Sequence, residues 1–354
     1  MINIGEIEYR VVCITPDGEQ LDLTPVTTNL GWEEGAKELA VRISMQIHNA
    51  KYKGKYMSEL VQPKTPVYVY YSIKGQAAKE VARGTVEKWK PRFSNGQTIL
   101  EIETYDEMNA LRHNQDSDYF TEGTGTKAII TKFLGKWGIP YNYQGPDVAH
   151  GKTIFKKKYL SDIFQTTLTE AKKKGAGAYF MRAKEGTVEI IARGSNEEVY
   201  HFDEATNAVE ISDSFDASKI VTRVVIVGKS DKEGHEPVEA VVDGKTEFGT
   251  RQVYYQRPKD KTLDDATKAA NEILKEKGSL QRTTSLSAPD LPFLRKGDRI
   301  RVRAGTADGC FFVKSIRHNA ADQTMTLEID EDKEKNGTLD TNTTDETSED
   351  GDEA

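Results

Sequence analysis

The chain has 354 residues, 36% of them hydrophobic, and a mean hydropathy of −0.64. That is long enough for two or three domains with full cores, and no apolar run approaches the length of a membrane span. The net charge of −8 sits in residues 331–354, which hold ten acidic residues and two lysines; residues 1–330 carry 47 charges of each sign. A balanced body of this kind exerts no net pull on nucleic acid or on an anionic membrane.

The start, Met1-Ile2-Asn3-Ile4-Gly5-Glu6, lacks a charged segment followed by an apolar stretch. It predicts synthesis in the cytoplasm without a signal peptide. Cys13 and Cys310 lie far apart in strand-like contexts and read as small buried hydrophobes rather than a disulfide scaffold.

Residues 1–118 are β-rich. Ile7–Ile14 alternates and is turned by Pro16-Asp17-Gly18-Glu19; Leu39–Ile47 alternates again. Val67–Tyr71 places Tyr68 and Tyr70 on one face and Tyr71 on the other. Several such runs with one apolar face predict a small closed barrel. Residues 119–205 change character. Thr126–Gly138 has apolar residues at helical spacing and stops at Gly138, with Pro140 beyond. Leu160–Ala171 predicts a second helix, with Ser161 as its cap and Lys172-Lys173-Lys174-Gly175 closing it. Two short strands follow, Ala178–Met181 and Val188–Ile191, completing a compact α/β module. In residues 206–330, Lys219–Gly228 predicts a strand and residues 264–277 a helix with Ala266, Ala269, Ala270, Ile273 and Leu274 in a stripe. The remaining strands predict a second barrel. Residues 331–354 cannot bury a core and read as a disordered acidic tail. The expected fold class is α+β, mainly β: two similar small barrels separated by an α/β module.

The two barrels share a faint repeat. Val86-Glu87-Lys88-Trp89, a polar turn and Ile99–Glu103 match Val313–Ile316, a polar turn and Thr326–Asp330. Val86 to Ile102 and Val313 to Ile329 are both sixteen steps. Both copies read as a hairpin with an extended segment upstream, Val67–Tyr71 and Gly297–Val302.

Chemical motifs are sparse. Gly123-Thr124-Gly125-Thr126-Lys127 lacks the spacing of a phosphate loop and reads as the entry to a helix. The six histidines, His48, His113, His150, His201, His235 and His318, form no zinc pattern. Gly-x-Ser-x-Gly is absent, and acidic neighbours such as Asp203/Glu204 and Asp264/Asp265 are expected by chance among 57 acidic residues. Lys156–Lys158 and Lys172–Lys174 flank the second helix, and the latter suit its C-terminal dipole. No catalytic, cofactor-binding or metal-binding residue is assigned.

The order of barrel, α/β module and second barrel resembles the baseplate hub proteins of contractile phage tails. The likeness is to the branch found in PBSX-type prophages and tailocins, with late-control D proteins and the N-terminal half of type VI secretion spike proteins as more distant relatives. It rests on Val67–Tyr71, Gly84-Thr85-Val86 and Thr98–Asp106; on Thr126–Tyr141 and Leu160–Lys174; and on Leu294–Ile300, Phe312–His318 and Met325–Ile329. It covers residues 1–330 and omits the acidic tail.

The resemblance implies a non-enzymatic homotrimeric ring that adapts a sixfold tail tube to a threefold central spike. Its expected partners are the spike, tube, tape-measure and other baseplate proteins, with no cofactor, no nucleic-acid binding and no membrane insertion. The expected location is a virion tail or tailocin baseplate. Two alternatives are a tail-associated cell-wall hydrolase and a peptidoglycan-binding protein that uses Leu160–Ile191 as a LysM-like unit.

Overall fold

The computed structural model describes residues 4–36, 38–94, 96–230, 233–258 and 261–332. The chain forms two compact units. One runs to Ile211 and resumes at Ser285; the other is Ser212–Thr284.

The first unit is organised by a 13-stranded sheet. From one edge its order is Glu210–Asp216, Gln281–Pro289, Thr324–Glu331, Ala307–Asn319, Thr27–Glu34, Arg42–His48, Gln97–Tyr105, Lys79–Ser94, Pro66–Ile73, Ile7–Ile14 and Gln20–Asp22. Arg299–Ala304 pairs with the first half of Ala307–Asn319, and Tyr200–Asp203 lies parallel to Arg299–Ala304. The strand sets expected as two separate barrels are therefore joined. Ile316–Asn319 pairs antiparallel with Gly31–Glu34, and among the described residues no pairing closes either set into a barrel.

Alternation explains the packing. Val67, Val69 and Tyr71 point into one core while Tyr68 and Tyr70 stay half-exposed, as the sequence pattern predicts. That core also holds Cys13, Trp32, Ile43, Met45, Ile47, Leu100 and Ile102; a second, around Leu286, Ile300, Val302, Val313, Leu327 and Ile329, lies under the other strand set. Cys310 is partly exposed, unlike Cys13.

The repeat is visible in the pairing. Each hairpin carries a bulge at the matching place, between Val86 and Lys88 and between Val313 and Ser315. Their registers differ by two: Trp89 faces Ile102, while Ile316 faces Leu327. The first hairpin closes at Ser94–Gln97 and the second at Asn319–Thr324, which absorbs the difference. A slip of two keeps every side chain on its face, so Leu100, Ile102, Leu327 and Ile329 are all buried.

The α/β module contains the helices Thr126–Lys136 and Leu160–Lys173 and two small sheets. Phe120, Phe133 and Phe155 meet edge-on in its core. That core also takes Ala40, Met108 and Leu111 from the preceding segment, so the boundary expected at residue 118 runs through shared packing. Ser161 lies inside its helix, and Tyr159 occupies the N-cap without a side-chain bond.

The unit Ser212–Thr284 contains the antiparallel pair Arg223–Val227 and Val238–Asp243, with Gln252–Gln256 parallel to the first, and the helix Leu263–Lys277. Ala266 and Ala270 pack on Val221, Val224 and Ile226. Thr262 caps the helix: its hydroxyl accepts from Asp265 N at 3.1 Å, and the Asp265 carboxylate accepts from Thr262 N. The expected lone helix inserted in a barrel is thus a small α/β unit with its own core. The last strand runs to Glu331, and Asp332 is buried beside Arg299 at 2.8 Å. The rest of the expected tail lies outside the described residues.

Candidate assembly surface

The sheet repeats a four-strand order. Its first four strands (Glu210–Asp216, Gln281–Pro289, Thr324–Glu331, Ala307–Asn319) correspond one by one to the next four (Thr27–Glu34, Arg42–His48, Gln97–Tyr105, Lys79–Ser94). The two quartets meet where Ala307–Asn319 pairs with Thr27–Glu34.

This joint is tightly specified. A Cβ on Gly31 would lie 2.7 Å from the His318 carbonyl oxygen, so only glycine admits the approach. His318 stacks on Trp32 with ring centroids 4.5 Å apart. Its Nδ1 sits 2.6 Å from Asp290 Oδ1, and the Tyr9 hydroxyl donates to the other carboxylate oxygen. All of Trp32, Asp290 and His318 are buried. Burial, followed by the Asp290 charge, pushes the Tyr9 hydroxyl well above its ordinary pKa.

A second buried set ties the joint to the α/β module. Arg295 donates to both oxygens of Glu34, at 2.6 and 3.1 Å, and to the Ala183 carbonyl at 3.0 Å. Burial alone would raise the Glu34 carboxyl; the Arg295 charge and hydrogen bonds outweigh it and hold the group below its usual range. Arg182 bridges Asp298 and Glu189, each at 3.2 Å. Lys296 donates to the carbonyls of Gly35 and Glu38 at 2.6 and 2.8 Å. Gly297 makes the turn at φ +88°, with the Phe180 ring where a Cβ would go. Asp106 accepts from Val41 N and Met108 N, yet burial still pushes its carboxyl up to about 8. Asp106, Arg182, Arg295 and Asp298 line a cleft of 860 Å³ with the aromatic rings of Tyr71, Phe293 and Tyr200.

On the sheet's outer face, ion pairs run from strand to strand across the joint. Arg317 lies 3.7 Å from Glu33, Glu33 pairs with Arg42, Arg42 reaches Glu103 at 3.9 Å, and Lys88 reaches Glu103 at 2.7 Å. Lys90 and Arg92 share Glu101, at 3.3 and 2.9 Å.

The sequence motifs resolve differently. In the Gly123–Lys127 segment, Asp147 Oδ1 accepts from Lys127 N at 3.2 Å, so a protein carboxylate holds the helix N-terminus. His150 links Thr126 Oγ1 (2.8 Å) to Glu170 (3.1 Å), a hydroxyl–imidazole–carboxylate chain that sequence reading missed. Thr126 is fully buried and its hydroxyl also donates to the Val148 carbonyl, so the chain braces the helix start rather than presenting a nucleophile. Among the described residues no three His, Cys, Asp or Glu side chains converge as metal ligands, and no helix is long and apolar enough to cross a membrane.

The fold is that of phage tail proteins. The 43 kDa tail protein of prophage MuSo2 from Shewanella oneidensis superposes with a TM-score of 0.64 at 13% identity, covering 91% of this chain and 98% of that one. A tail protein of Neisseria meningitidis gives 0.62 at 16% identity, covering 92% and 97%. A chain of the lidded Francisella PdpA–VgrG complex gives 0.53 at 11% identity, covering 91% and 52%. No curated protein sequence matches the chain. The YQBQ-like family profile spans residues 39–330, from the strand that opens the first quartet's core to the last strand of the second, and the chain belongs to that family.

Proposed function

We propose that this protein is a structural baseplate hub of a contractile phage tail or tailocin. Three copies form a ring that adapts a sixfold tail tube to a threefold central spike. The observation that carries this reading is the repeated quartet. One chain supplies two equivalent four-strand units in a single sheet, so three chains supply six, matching a threefold partner by chain and a sixfold partner by unit. The likeness to prophage tail proteins and to a chain of a VgrG complex supports the same setting. The spike, tube and tape-measure proteins are the partners in this reading, and the hub performs no catalysis.

Negative-stain imaging of the purified protein tests it. The reading expects annular particles with a central hole and threefold averages that approach sixfold symmetry at low resolution. Solid particles without a hole, in the presence of a cognate spike, contradict it.

A further inference from the structure

We infer that the ring closes by strand pairing in trans: residues 88–94 of one copy pair with Glu210–Asp216 of the next. The inference rests on the hub reading and goes beyond it by naming the joint.

The argument starts from two open edges. Lys79–Ser94 is flanked on both sides only as far as Thr85; Val86 bonds back to Lys64 and Thr65, and among the described residues no second strand lies beside residues 88–94. Glu210–Asp216 ends the sheet at its other side. Long open edges invite pairing with another chain. Here each edge has a counterpart that is already paired within the chain. Residues 88–94 correspond to the part of Ala307–Asn319 that pairs with Thr27–Glu34, and Thr27–Glu34 corresponds to Glu210–Asp216. Extending the quartet order by one step sets Glu210–Asp216 of a second copy beside residues 88–94.

The side chains fit that placement on both faces. On the outer face the first edge presents Lys88, Lys90 and Arg92, and their in-chain carboxylates, Glu101 and Glu103, are shared, the latter also with Arg42. Glu210 and Asp216 lie on the exposed face of the second edge. This reproduces the Arg317–Glu33 pairing of the joint within the chain. On the core side the first edge carries Trp89 and Phe93, with Phe93 74% exposed; the second carries Ile211 and Phe215, with Phe215 62% exposed. This matches the place of His318 on Trp32. A second copy is the occupant because both complementary edges belong to one chain, head to tail, and a head-to-tail contact closes a ring.

The test is charge reversal with rescue. Lys90→Glu with Arg92→Glu, and separately Glu210→Lys with Asp216→Lys, should each weaken assembly at least tenfold by analytical ultracentrifugation. A mixture of the two variants, or all four changes in one chain, should restore it. Hydrogen exchange on the wild-type assembly should protect the amides of residues 88–94 and 210–216 relative to the dissociated chain, and that readout decides if a variant misfolds. A trimer that forms unchanged with either reversal, and leaves both edges exchanging freely, overturns this joint while the ring stands. A wild-type chain that stays monomeric with a spike partner present overturns the ring and the joint together.

Discussion

His318 stacks face to face on Trp32 across the seam between the two quartets, with 4.5 Å between ring centroids. Each ring is buried, one from either end of the chain, and Asp290 and Tyr9 complete the contact. Trp32→Ala should cost about 3–5 kcal/mol, the usual range for an aromatic core truncation. Gly31→Ala should cost about 1–3 kcal/mol, because its Cβ meets backbone that cannot yield. Urea denaturation checks both; a loss below about 1 kcal/mol for Trp32→Ala would mean the seam does not organise the fold.

Arg295 and Glu34 form a buried bidentate pair. Arg295→Ala leaves a buried carboxylate unpaired and should cost about 3–5 kcal/mol. The double change Arg295→Met with Glu34→Leu should recover most of that loss, since removing both charges removes the desolvation penalty as well. A double-mutant cycle measures the coupling, and additive losses would contradict a direct pair.

Asp106 gives a pH signature. Its folded carboxyl is raised to about 8 by burial, above the ordinary unfolded value near 3.9. The folded state therefore holds a proton that the unfolded state releases. The contribution is fully present below about pH 4 and is lost as pH rises through about 8. Between about pH 5 and 7 the stability of the wild type relative to Asp106→Asn should fall by roughly 1 kcal/mol per pH unit. Parallel stability curves for the two proteins would show that Asp106 is ionised in the fold.

Gly297 turns at φ +88° against the Phe180 ring. Gly297→Ala adds backbone strain and a clash, and should lower stability by about 2 kcal/mol or more. Phe180→Ala in the same chain relieves the clash but not the strain, so thermal melts should show partial recovery. No recovery would place the whole cost in the backbone.

The sequence makes local structure legible and leaves its joints hidden. Alternation locates Ile7–Ile14, Pro66–Ile73 and Gln97–Tyr105 because each strand has one buried face. The matched spacing of Val86–Ile102 and Val313–Ile329 marks two hairpins, but not their two-residue difference in register, because a slip of two preserves the pattern. The seam is invisible locally: His318 and Trp32 are read from segments near opposite ends of the chain, and neither has a periodicity that names its partner. Leu294–Asp298 stands out as a turn, but nothing in it reveals that Arg295 meets Glu34. The unit Ser212–Thr284 was legible as a strand and a helix; its separate core follows from Val238–Asp243 and Gln252–Gln256 flanking Arg223–Val227, a mixed pairing that alternation cannot specify.

The central claim is that three chains close a ring, and mass in solution tests it most directly. Size-exclusion chromatography with light scattering on the full chain, alone and with a cognate spike, should give three times the 39.6 kDa chain mass. A single chain mass at every concentration, unchanged by the spike, would contradict it.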